Sequence, residues 1–357
     1  MHVPWGWIKQ RPHFLAEELC RYYDVRVMIP KSFKIPGLTV NNTRLRIQNI
    51  FKFPFERFKI VRFLNTLLIR FIIKYIYCIE SYRYVWVTDM RLYPLIKDLL
   101  HDNQILIYDC MDDVMEFDVL KTRHAEILCL ESMLFAAADL IFFSSEELMN
   151  RKRMKYGLSD ELCHVVFNAL DKNLVYDGIF DTYDHEFRAY KKNNQTIITY
   201  IGTVSNWLDF DLIDKSLQDF DNIIYFIVGP VEKNIKVLKH DRIKYFGSID
   251  HKFVKSFILN SDILIMPFIL NPLVTAVNPV KMYEYIAFGK KIISIKYDEL
   301  DKFSNYVNFY TDYIEFKGTL NNMLIHPTVM ISNEQFVNVN NWEVRAKDIV
   351  SHIENLS

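Results

Sequence analysis

The sequence feature that most restricts the fold is an alternation of short apolar runs with longer amphipathic stretches. Short runs rich in Val, Ile, Tyr and Phe predict strands, and apolar residues at helical spacing predict the helices between them. Such alternation indicates a parallel sheet with helices on both faces. In the first half, the predicted strands are 24–29, 84–88, 105–109, 139–143 and 163–167, and the predicted helices are 12–23, 58–80, 93–101, 122–138 and 145–156.

The alternation stops between residues 183 and 194, where the chain is polar, and it then resumes. We interpret this stretch as a linker between two domains, because a chain of 357 residues is long for one domain. The predicted fold class is therefore α/β, with residues 1–180 and 195–340 as the two domains. In the second half, the predicted strands are 196–201, 223–228, 243–246, 263–267 and 292–295.

Composition and charge exclude several classes of protein. A formal net charge of -1 argues against a protein that grips nucleic acid through its overall field. The five cysteines are odd in number and lack paired metal-ligand spacing, which predicts reduced thiols in a cytosolic protein and no zinc site. Residues 1–10 lack the apolar run of a signal peptide. The most membrane-like segment, 63–79, contains Arg70 and Lys74, so we do not expect it to span a bilayer.

A basic amphipathic segment covers residues 51–77, where cations stand among Phe, Ile, Leu and Tyr and Glu56 is the single acid. Its cations are Lys52, Arg57, Lys59, Arg62, Arg70 and Lys74. A helix of this kind can lie on an anionic membrane surface. The alternative is a helix that covers the core while its basic rim reaches into water. The sequence leaves both interpretations open.

The stretch 278–289 has the pattern of a helix that binds an anion. Pro279 suits a first helical position, and Gly289 suits a left-handed helix end. Lys281 and Glu284 lie one turn apart near the positive end of the helix dipole, where a phosphate would be held. Read alone, the pair could also be an ordinary ion pair on the surface of an amphipathic helix.

Glycine placement supports the second half as the nucleotide-binding part of the chain. Gly202, Gly229 and Gly247 each follow a predicted strand directly. Ligands of doubly wound sheets bind at the carboxyl ends of the strands, where a side chain would block close approach of the backbone. A tight turn also favours glycine, so each position alone is weak evidence.

Taken together, these motifs resemble the GT-B glycosyltransferases, in particular those of bacterial polysaccharide, O-antigen and capsule assembly. The matching stretches are Trp5-Gly6-Trp7 with Gln10-Arg11-Pro12-His13, Tyr108-Asp109-Cys110-Met111-Asp112-Asp113, Tyr200-Ile201-Gly202-Thr203, Asn278 to Gly289, and the closing helix with Trp342. The resemblance implies two Rossmann-like domains with a cleft between them. It also implies that the first domain binds the acceptor and is completed by a crossover helix at 341–357, and that the second binds a nucleotide-sugar.

The resemblance assigns a donor site in the second domain. Glu284 is similar to the glutamate that accepts hydrogen bonds from the ribose hydroxyls. Lys281 would neutralise the departing diphosphate, a task done in these enzymes without a metal. The further donor-binding positions are Gly202, Thr203, Gly229, Pro230, Val231, Gly247, Ser248, Ile249, Thr275, Asn278 and Val280. The expected donor is a UDP-sugar, and no metal or other cofactor is expected.

Candidate acceptor-side residues lie in the first domain. Asp112 and Asp113 follow a predicted strand, and either carboxylate could take the proton of the acceptor hydroxyl. We favour Asp112, and the alternative for both is helix capping. Trp5, Arg11 and His13 are expected on the acceptor side, with a structural salt bridge as the alternative role of Arg11.

The chain departs from the family's pattern in two places. Many retaining members carry two glutamates seven residues apart, but Val277 stands where the first would be, which leaves the stereochemistry open. The expected first strand is also missing before Trp5, so either the recorded start lies downstream of the natural one or the sheet has lost an edge strand. Asp209 and Asp211 look like a metal-binding D-x-D motif, but we interpret them as a helix start.

The sequence thus predicts a cytoplasmic, metal-independent glycosyltransferase of cell-surface polysaccharide synthesis. It would move a sugar from a nucleoside diphosphate, UDP in the favoured case, to a glycan or a lipid-linked glycan. The segment 51–77 would hold the protein peripherally on the inner face of the cytoplasmic membrane, and no nucleic-acid partner is expected. Two alternatives remain, a nucleotide-sugar epimerase of the same fold and a non-catalytic scaffold of a polysaccharide-assembly complex.

Overall fold

The chain folds into two compact units, Met1–Asn168 with Trp342–Ser357, and Ala169–Asn341. The structure is a computed structural model that describes residues 5, 9–31, 44–55, 58–76, 78–116, 123–176, 178, 183–192, 194–326 and 333–356. Within these ranges, the helices are all too short or too polar to cross a membrane.

Unit 1 contains two separate parallel sheets. Its strands are β1 (Val25–Lys31), β2 (Leu45–Phe51), β3 (Tyr84–Val87), β4 (Ile105–Cys110), β5 (Leu140–Phe143) and β6 (Cys163–Val165). Its helices are α1 (Arg11–Leu19), α2 (Lys59–Phe71), α3 (Tyr93–Ile96), α4 (His124–Ala137), α5 (Glu146–Tyr156) and, from the end of the chain, α14 (Trp342–Asn355). β1 pairs with β2, and the other sheet has the order β3-β4-β5-β6. Every described residue of β5 is buried, as expected for a strand covered on both faces.

The closing helix α14 belongs to unit 1. Trp342 is 3% exposed and stacks on Phe14 of α1, with ring centroids 5.1 Å apart and ring planes 7° apart. Ala346, Ile349 and Ile353 continue the buried face at helical spacing. This helix therefore completes the core of the unit that the first residues of the chain begin.

Unit 2 contains a six-stranded parallel sheet of order β12-β11-β10-β7-β8-β9. Its strands are β7 (Thr196–Ile201), β8 (Ile223–Val228), β9 (Ile243–Gly247), β10 (Ile263–Met266), β11 (Lys291–Ile295) and β12 (Asn308–Tyr310). Its helices are α6 (Lys172–Tyr176), α7 (Asp184–Lys192), α8 (Phe210–Asp219), α9 (Val254–Asn260), α10 (Pro272–Thr275), α11 (Val280–Ala287), α12 (Tyr313–Ile325) and α13 (Glu334–Val339). All six residues of β8 are buried, which matches its continuous apolar sequence.

All ten predicted strands are present, but the linker prediction is wrong. Residues 184–192 form α7, and Phe187 is 1% exposed against Phe226 and Phe257. Tyr190 also contacts Phe226, with ring centroids 5.5 Å apart. One buried ring and one half-buried ring a turn apart dock this short helix, and the rest of its sequence is polar, so the pattern did not reveal it. The predicted helix 58–80 is also shorter, ending as α2 at Phe71 with a π-helical turn, Ile72–Ile76, after it.

Candidate functional site

Helix α11 is the element around which the predicted donor-binding residues gather. It starts at Val280, with Pro279 at the capping position, one residue later than predicted. Gly289 ends it with φ +60°, the left-handed conformation expected there. Met282, Tyr285 and Ile286 are buried as the helical spacing predicts.

Lys281 and Glu284 form an ion pair in the first turn of α11, with 2.8 Å between Lys281 Nζ and Glu284 Oε2. The Glu284 side chain is only 2% exposed, so this is a buried carboxylate and not one half of an ordinary surface pair. His251 lies 3.4 Å from the second oxygen, measured from Nε2 to Oε1. Burial alone would raise the pKa of Glu284, but the Lys281 ammonium and the His251 ring lower it to about 2. The carboxylate is therefore ionised at neutral pH and accepts hydrogen bonds.

His251 was missed by the sequence reasoning. It lies a few residues after Gly247, at the carboxyl end of β9, and is separated from Glu284 by 33 residues in sequence. The only sequence signal was its position after a predicted strand end. Its contact with Glu284 brings the loop after β9 to the first turn of α11.

The predicted glycines Gly202, Gly229 and Gly247 lie together at the carboxyl ends of β7, β8 and β9, because these three are neighbouring parallel strands. The Gly229 amide donates to the Gly247 carbonyl at 2.8 Å. Gly229 has φ +142°, and a Cβ there would lie 2.0 Å from the carbonyl oxygen of Gly202. No side chain fits in this space, so the backbones after β7 and β8 approach each other closely only with glycine at 229.

The loops after these strands hold the remaining predicted contacts. The Val204 amide donates to the Pro230 carbonyl at 2.9 Å, which ties the loop containing Thr203 to the loop containing Val231. Val231 is exposed, and in the loop after β9 Ser248 is exposed and Ile249 half-buried. These positions leave backbone and side-chain groups accessible at the carboxyl ends of the strands, where ligands of such sheets bind.

Asn278 is held in place by side chains that the sequence reasoning did not identify. It is 1% exposed, donates from Nδ2 to Glu299 at 3.1 Å and accepts from the Tyr283 hydroxyl at 3.0 Å. Thr275 lies at the end of α10, where its hydroxyl donates to the Asn271 carbonyl at 3.1 Å. Asn278 therefore fixes the turn that leads into α11.

In unit 1, Arg11 and Asp109 form a buried ion pair. The distances from Arg11 Nε and Nη2 to Asp109 Oδ1 are both 2.9 Å, and Nη1 donates to the Val166 carbonyl at 2.6 Å. The side chains are 3% and 0% exposed. Arg11 thus forms a structural salt bridge, which was the alternative to the phosphate-binding role considered for it.

Trp5 and His13 pack together beside α1. Their rings meet edge to face with centroids 4.9 Å apart, and His13 Nδ1 accepts a hydrogen bond from the Gln10 amide at 3.0 Å. Both residues are buried, at 8% and 2% exposure. These contacts stabilise the start of α1, and contact of either residue with an acceptor stays a prediction.

The two adjacent aspartates differ sharply in their surroundings. Asp113 lies 2.8 Å from Lys152 Nζ, and the same ammonium contacts Glu131 at 2.6 Å in a buried network. Glu131 also accepts a hydrogen bond from the Tyr156 hydroxyl. Within the described part of the chain, by contrast, the Asp112 carboxylate has no hydrogen-bond or ion-pair partner. Burial raises the pKa of Asp112 to about 6, with Asp109 and Asp113 adding to the shift and Arg11 opposing it.

The D-x-D motif begins a helix, as predicted. Asp209 is the N-terminal cap of α8, and its side chain accepts from the Leu212 amide at 2.9 Å. Across the ranges that the structure describes, no three His, Cys, Asp or Glu side chains are grouped so that they could hold a metal ion.

Comparison with known proteins gives one match by sequence and many by structure, whereas no family profile matches the chain. The chain is 26% identical over 213 residues to a Bacillus subtilis (strain 168) protein that bears the name teichuronic acid biosynthesis glycosyltransferase TuaH. This match covers 56% of the chain and 52% of that protein, so the chain spans about half the length of the curated relative.

Sucrose-phosphate synthase and HepE are two of the solved structures that match nearly the whole chain. Sucrose-phosphate synthase from Thermosynechococcus elongatus superimposes with a TM-score of 0.73 and 14% identity, over 97% of this chain and 92% of that one. HepE of Anabaena, in complex with UDP and glucose, gives a TM-score of 0.68 and 14% identity, over 96% and 95%. These likenesses show the GT-B fold with its two Rossmann-like domains, and they confirm the predicted fold class.

Proposed function

We propose that this protein of GT-B fold is a glycosyltransferase of cell-surface polysaccharide synthesis. It moves a sugar from a UDP-sugar to a glycan or lipid-linked glycan acceptor. The observation that carries the proposal is the cluster of Lys281, Glu284 and His251 at the first turn of α11. The name of the Bacillus subtilis relative and the UDP bound to HepE support the same reaction class and the same base.

In the proposed donor complex, the ionised Glu284 accepts hydrogen bonds from the two ribose hydroxyls. Lys281 is 28% exposed, so its ammonium can turn from Glu284 toward a diphosphate without leaving the first turn of the helix. Positive charge from the lysine and from the helix N-terminus stabilises the leaving group as the sugar departs. The loops at Gly202, Gly229 and Gly247 supply the backbone groups that hold the base.

In the proposed reaction, Asp112 takes the proton of the acceptor hydroxyl as that oxygen attacks the anomeric carbon. Its carboxylate has no described partner to compete for the proton, and a pKa of about 6 leaves it ionised at neutral pH but basic enough to accept a proton. Asp113 is a weaker candidate because Lys152 already neutralises it.

The first test is a thermal-shift panel of UDP, GDP, ADP and CDP with their sugars, run on the native chain and on Glu284→Gln. We expect UDP and UDP-sugars to raise the melting temperature most, since a ligand that binds only the folded state stabilises it according to its affinity. Glu284→Gln should weaken UDP binding about 10- to 100-fold, because a hydrogen bond to a charged group contributes roughly 1.5–3 kcal/mol. Since the pKa of Glu284 is about 2, this contribution should not change between pH 5 and 8.

The matched control is Glu131→Gln. Glu131 is also a buried carboxylate paired with a lysine, but it belongs to unit 1, whereas the proposed nucleotide site belongs to unit 2. We expect this variant to melt at a lower temperature and still show the full UDP-induced shift. No shift with any nucleotide in the native chain would contradict the proposed donor site, and equal UDP affinity in native and Glu284→Gln proteins would remove Glu284 from it.

The same proposal places the protein on an anionic membrane surface through α2. Apolar side chains at helical spacing point into water along this helix, with Ile60 75% and Phe63 63% exposed. The other exposed apolar residues of this surface are Phe53, Phe55, Phe58, Leu64, Leu67, Phe71, Tyr75 and Ile76. Asn65 faces the protein instead and is 2% exposed. Its side chain accepts a hydrogen bond from the Phe53 amide at 2.7 Å and donates one to the Phe53 carbonyl at 3.0 Å.

Helix α2 buries Asn65 and Ile69 but leaves most of its apolar side chains exposed, which differs from the alternative interpretation of 51–77 as a helix that covers the core. Contiguous exposed apolar surface of this kind marks an interaction site. Lys59 and Arg62 are exposed beside it, so the surface combines apolar anchors with positive charge, the combination that anionic lipid headgroups bind. Arg70 contributes less, because it is paired with Asp98 at 2.8 Å.

We expect the native chain to co-sediment with vesicles of phosphatidylcholine and phosphatidylserine at low salt, and less with phosphatidylcholine alone. The double variant Phe63→Ser, Leu67→Ser should lose at least about tenfold in partitioning, because each inserted side chain contributes roughly 1.5–3 kcal/mol. Both side chains are at least half exposed, at 63% and 50%, so the variant should melt like the native protein.

The control double variant is Ile314→Ser, Ile325→Ser, which removes apolar side chains that are 81% and 69% exposed on α12 of unit 2. We expect it to bind vesicles as the native chain does. If the native chain does not bind anionic vesicles, or if both double variants bind equally, the membrane part of the proposal is wrong while the donor site is unaffected.

A further inference from the structure

Each oxygen of the Glu284 carboxylate already has a side-chain partner in this structure. Lys281 Nζ lies 2.8 Å from Oε2, and His251 Nε2 lies 3.4 Å from Oε1. Within the described residues, these two side chains are the partners of the carboxylate. Since an ionised carboxylate only accepts hydrogen bonds, the His251 ring donates from Nε2. The contact of 3.4 Å is long for a hydrogen bond, so Lys281 is the tighter partner.

The exposed fractions of the three side chains indicate how a ligand reaches the carboxylate. Glu284 is 2% exposed, whereas Lys281 is 28% and His251 is 31% exposed. Because the two partners are the exposed members of the cluster, they lie between the carboxylate and water. A ribose hydroxyl that donates to Glu284 must therefore move one of them aside.

Lys281 is the partner that can move. Its ammonium ends a flexible four-carbon side chain, and a diphosphate attracts it more strongly than a single carboxylate does because it carries more negative charge. His251, in contrast, begins a short turn in which the Phe253 amide donates to the Asp250 carbonyl at 2.9 Å. This turn leads directly into α9, most of whose residues are buried. The cluster thus combines one mobile partner with one that is held by the backbone.

A buried carboxylate is unfavourable without a partner. Burial raises the pKa of Glu284, and the Lys281 ammonium and the His251 ring lower it to about 2. If Lys281 turned away and nothing replaced it, a buried charge would lose its closest cation. The His251 donor keeps one oxygen paired while the ribose hydroxyls replace the ammonium. The exchange is therefore favourable when the diphosphate takes the lysine and the ribose takes the carboxylate together.

We propose that a diphosphate opens the ribose site at Glu284 by drawing Lys281 away, and that His251 is the positioning residue that holds the carboxylate during this exchange. The diphosphate and the ribose of a nucleotide are then recognised cooperatively. A nucleoside without phosphate binds weakly, because Lys281 stays on Glu284. The inference rests on the proposed donor site and adds to it a means of rejecting nucleosides.

The test uses uridine and inorganic pyrophosphate as separate probes of the two parts, with uridine binding followed by NMR titration. We expect saturating pyrophosphate to tighten uridine binding to the native chain about five- to tenfold, and uridine to tighten pyrophosphate binding by the same factor, since such coupling is reciprocal. In Lys281→Ala, uridine should bind about that tightly without pyrophosphate, which should add nothing. The control ligand 2′,3′-dideoxyuridine lacks both hydroxyls and should show no pyrophosphate effect.

His251 is tested by two substitutions. His251→Ala should weaken UDP binding about tenfold and raise the KM for the donor more than it lowers kcat, because the carboxylate loses a hydrogen bond that orients it. His251→Gln keeps an N–H donor near the position of Nε2 and should restore most of the affinity. The matched control is His240→Ala, which removes a half-buried histidine whose Nδ1 accepts from the Arg242 amide at 3.0 Å. It should keep the native affinity for UDP.

UDP binding by the native chain separates this inference from the function on which it rests. If the native chain does not bind UDP, the proposed donor site is wrong, and the inference is overturned with it. If UDP binds but pyrophosphate leaves uridine affinity unchanged, or if Lys281→Ala binds uridine no more tightly than the native chain, the exchange is overturned and the donor site stands. Equal UDP affinity in the native and His251→Ala proteins would overturn the role of His251.

Discussion

Replacing Lys281 by alanine is expected to lower kcat about 10²- to 10³-fold, measured as UDP release from the donor in the presence of acceptor. This is the typical loss when one preorganised group that stabilises developing charge is removed. The lysine is the cation that the structure places in the first turn of α11, next to a carboxylate that we assign to the ribose. Because the diphosphate gains charge only as the sugar leaves, the loss should appear in kcat more than in the KM for the donor.

The variant also leaves Glu284 without its closest cation, so some loss of stability must be separated from the loss of catalysis. The chain offers a close match in Lys302, three residues after Glu299, with side-chain exposures of 28% and 2% in both pairs. Lys302→Ala should lower the melting temperature by a similar amount and lower kcat much less, because it acts on α11 only through Glu299 and Asn278. If Lys281→Ala kept the kcat of Lys302→Ala, Lys281 would have no role in leaving-group stabilisation.

Replacing Asp112 by asparagine is expected to lower kcat about 10²- to 10⁴-fold, the usual contribution of a positioned general base. The native rate should also fall about tenfold per pH unit below pH 6, because the base must be ionised and burial raises the pKa of Asp112 to about 6. The profile of kcat against pH should therefore have an acidic limb, and this limb should disappear in Asp112→Asn.

The sign of the shift separates this loss from acid unfolding. The pKa of Asp112 in the folded protein lies above its ordinary value of 3.8, so the folded state binds the proton more tightly. Titration of Asp112 therefore stabilises the fold as the pH falls from about 6 toward 3.8, while it removes the base. A rate that falls at pH 5 in a protein that is still folded is the expected signature.

Asp113→Asn distinguishes the two neighbouring carboxylates. It removes one of the acids that neutralise the buried Lys152, so we expect a lower melting temperature and an unchanged acidic limb. If Asp113→Asn abolished the limb and Asp112→Asn preserved it, the roles would be reversed. A profile that is unaltered in both variants would place the base elsewhere in the chain.

The strands could be predicted because their signal is local. Each of the ten is a short apolar run between polar segments, and burial on both faces makes that run continuous, as in β8. The two that were missed are edge strands with weaker signals. β2 (Leu45–Phe51) mixes buried Leu45 and Ile50 with exposed Arg46, and β12 (Asn308–Tyr310) has only three residues. Edge strands are covered by one neighbour only, so polar side chains are accommodated and the pattern weakens.

The candidate site was predictable where its residues are close in sequence and hidden where they are not. Lys281 and Glu284 fall within one helical turn, and the motif around them identified both. The partners of Asp113 could not be inferred, because Lys152 is 39 residues away and reaches it only through the packing of α5. His251 was missed for the same reason, 33 residues from Glu284. Tertiary packing decides such contacts, and no local spacing encodes them.

The stacking of Trp342 on Phe14 sets the order in which the chain can mature during synthesis. Phe14 leaves the ribosome well before the ring that covers it, because the whole of Ala169–Asn341 is translated between them. Ala169–Asn341 is a contiguous segment and can fold as soon as it has been translated. In the N-terminal segment, in contrast, an apolar face of α1 stays exposed until α14 has left the ribosome. Its exposure to chaperones and proteases during that interval is fixed by the length of the inserted unit.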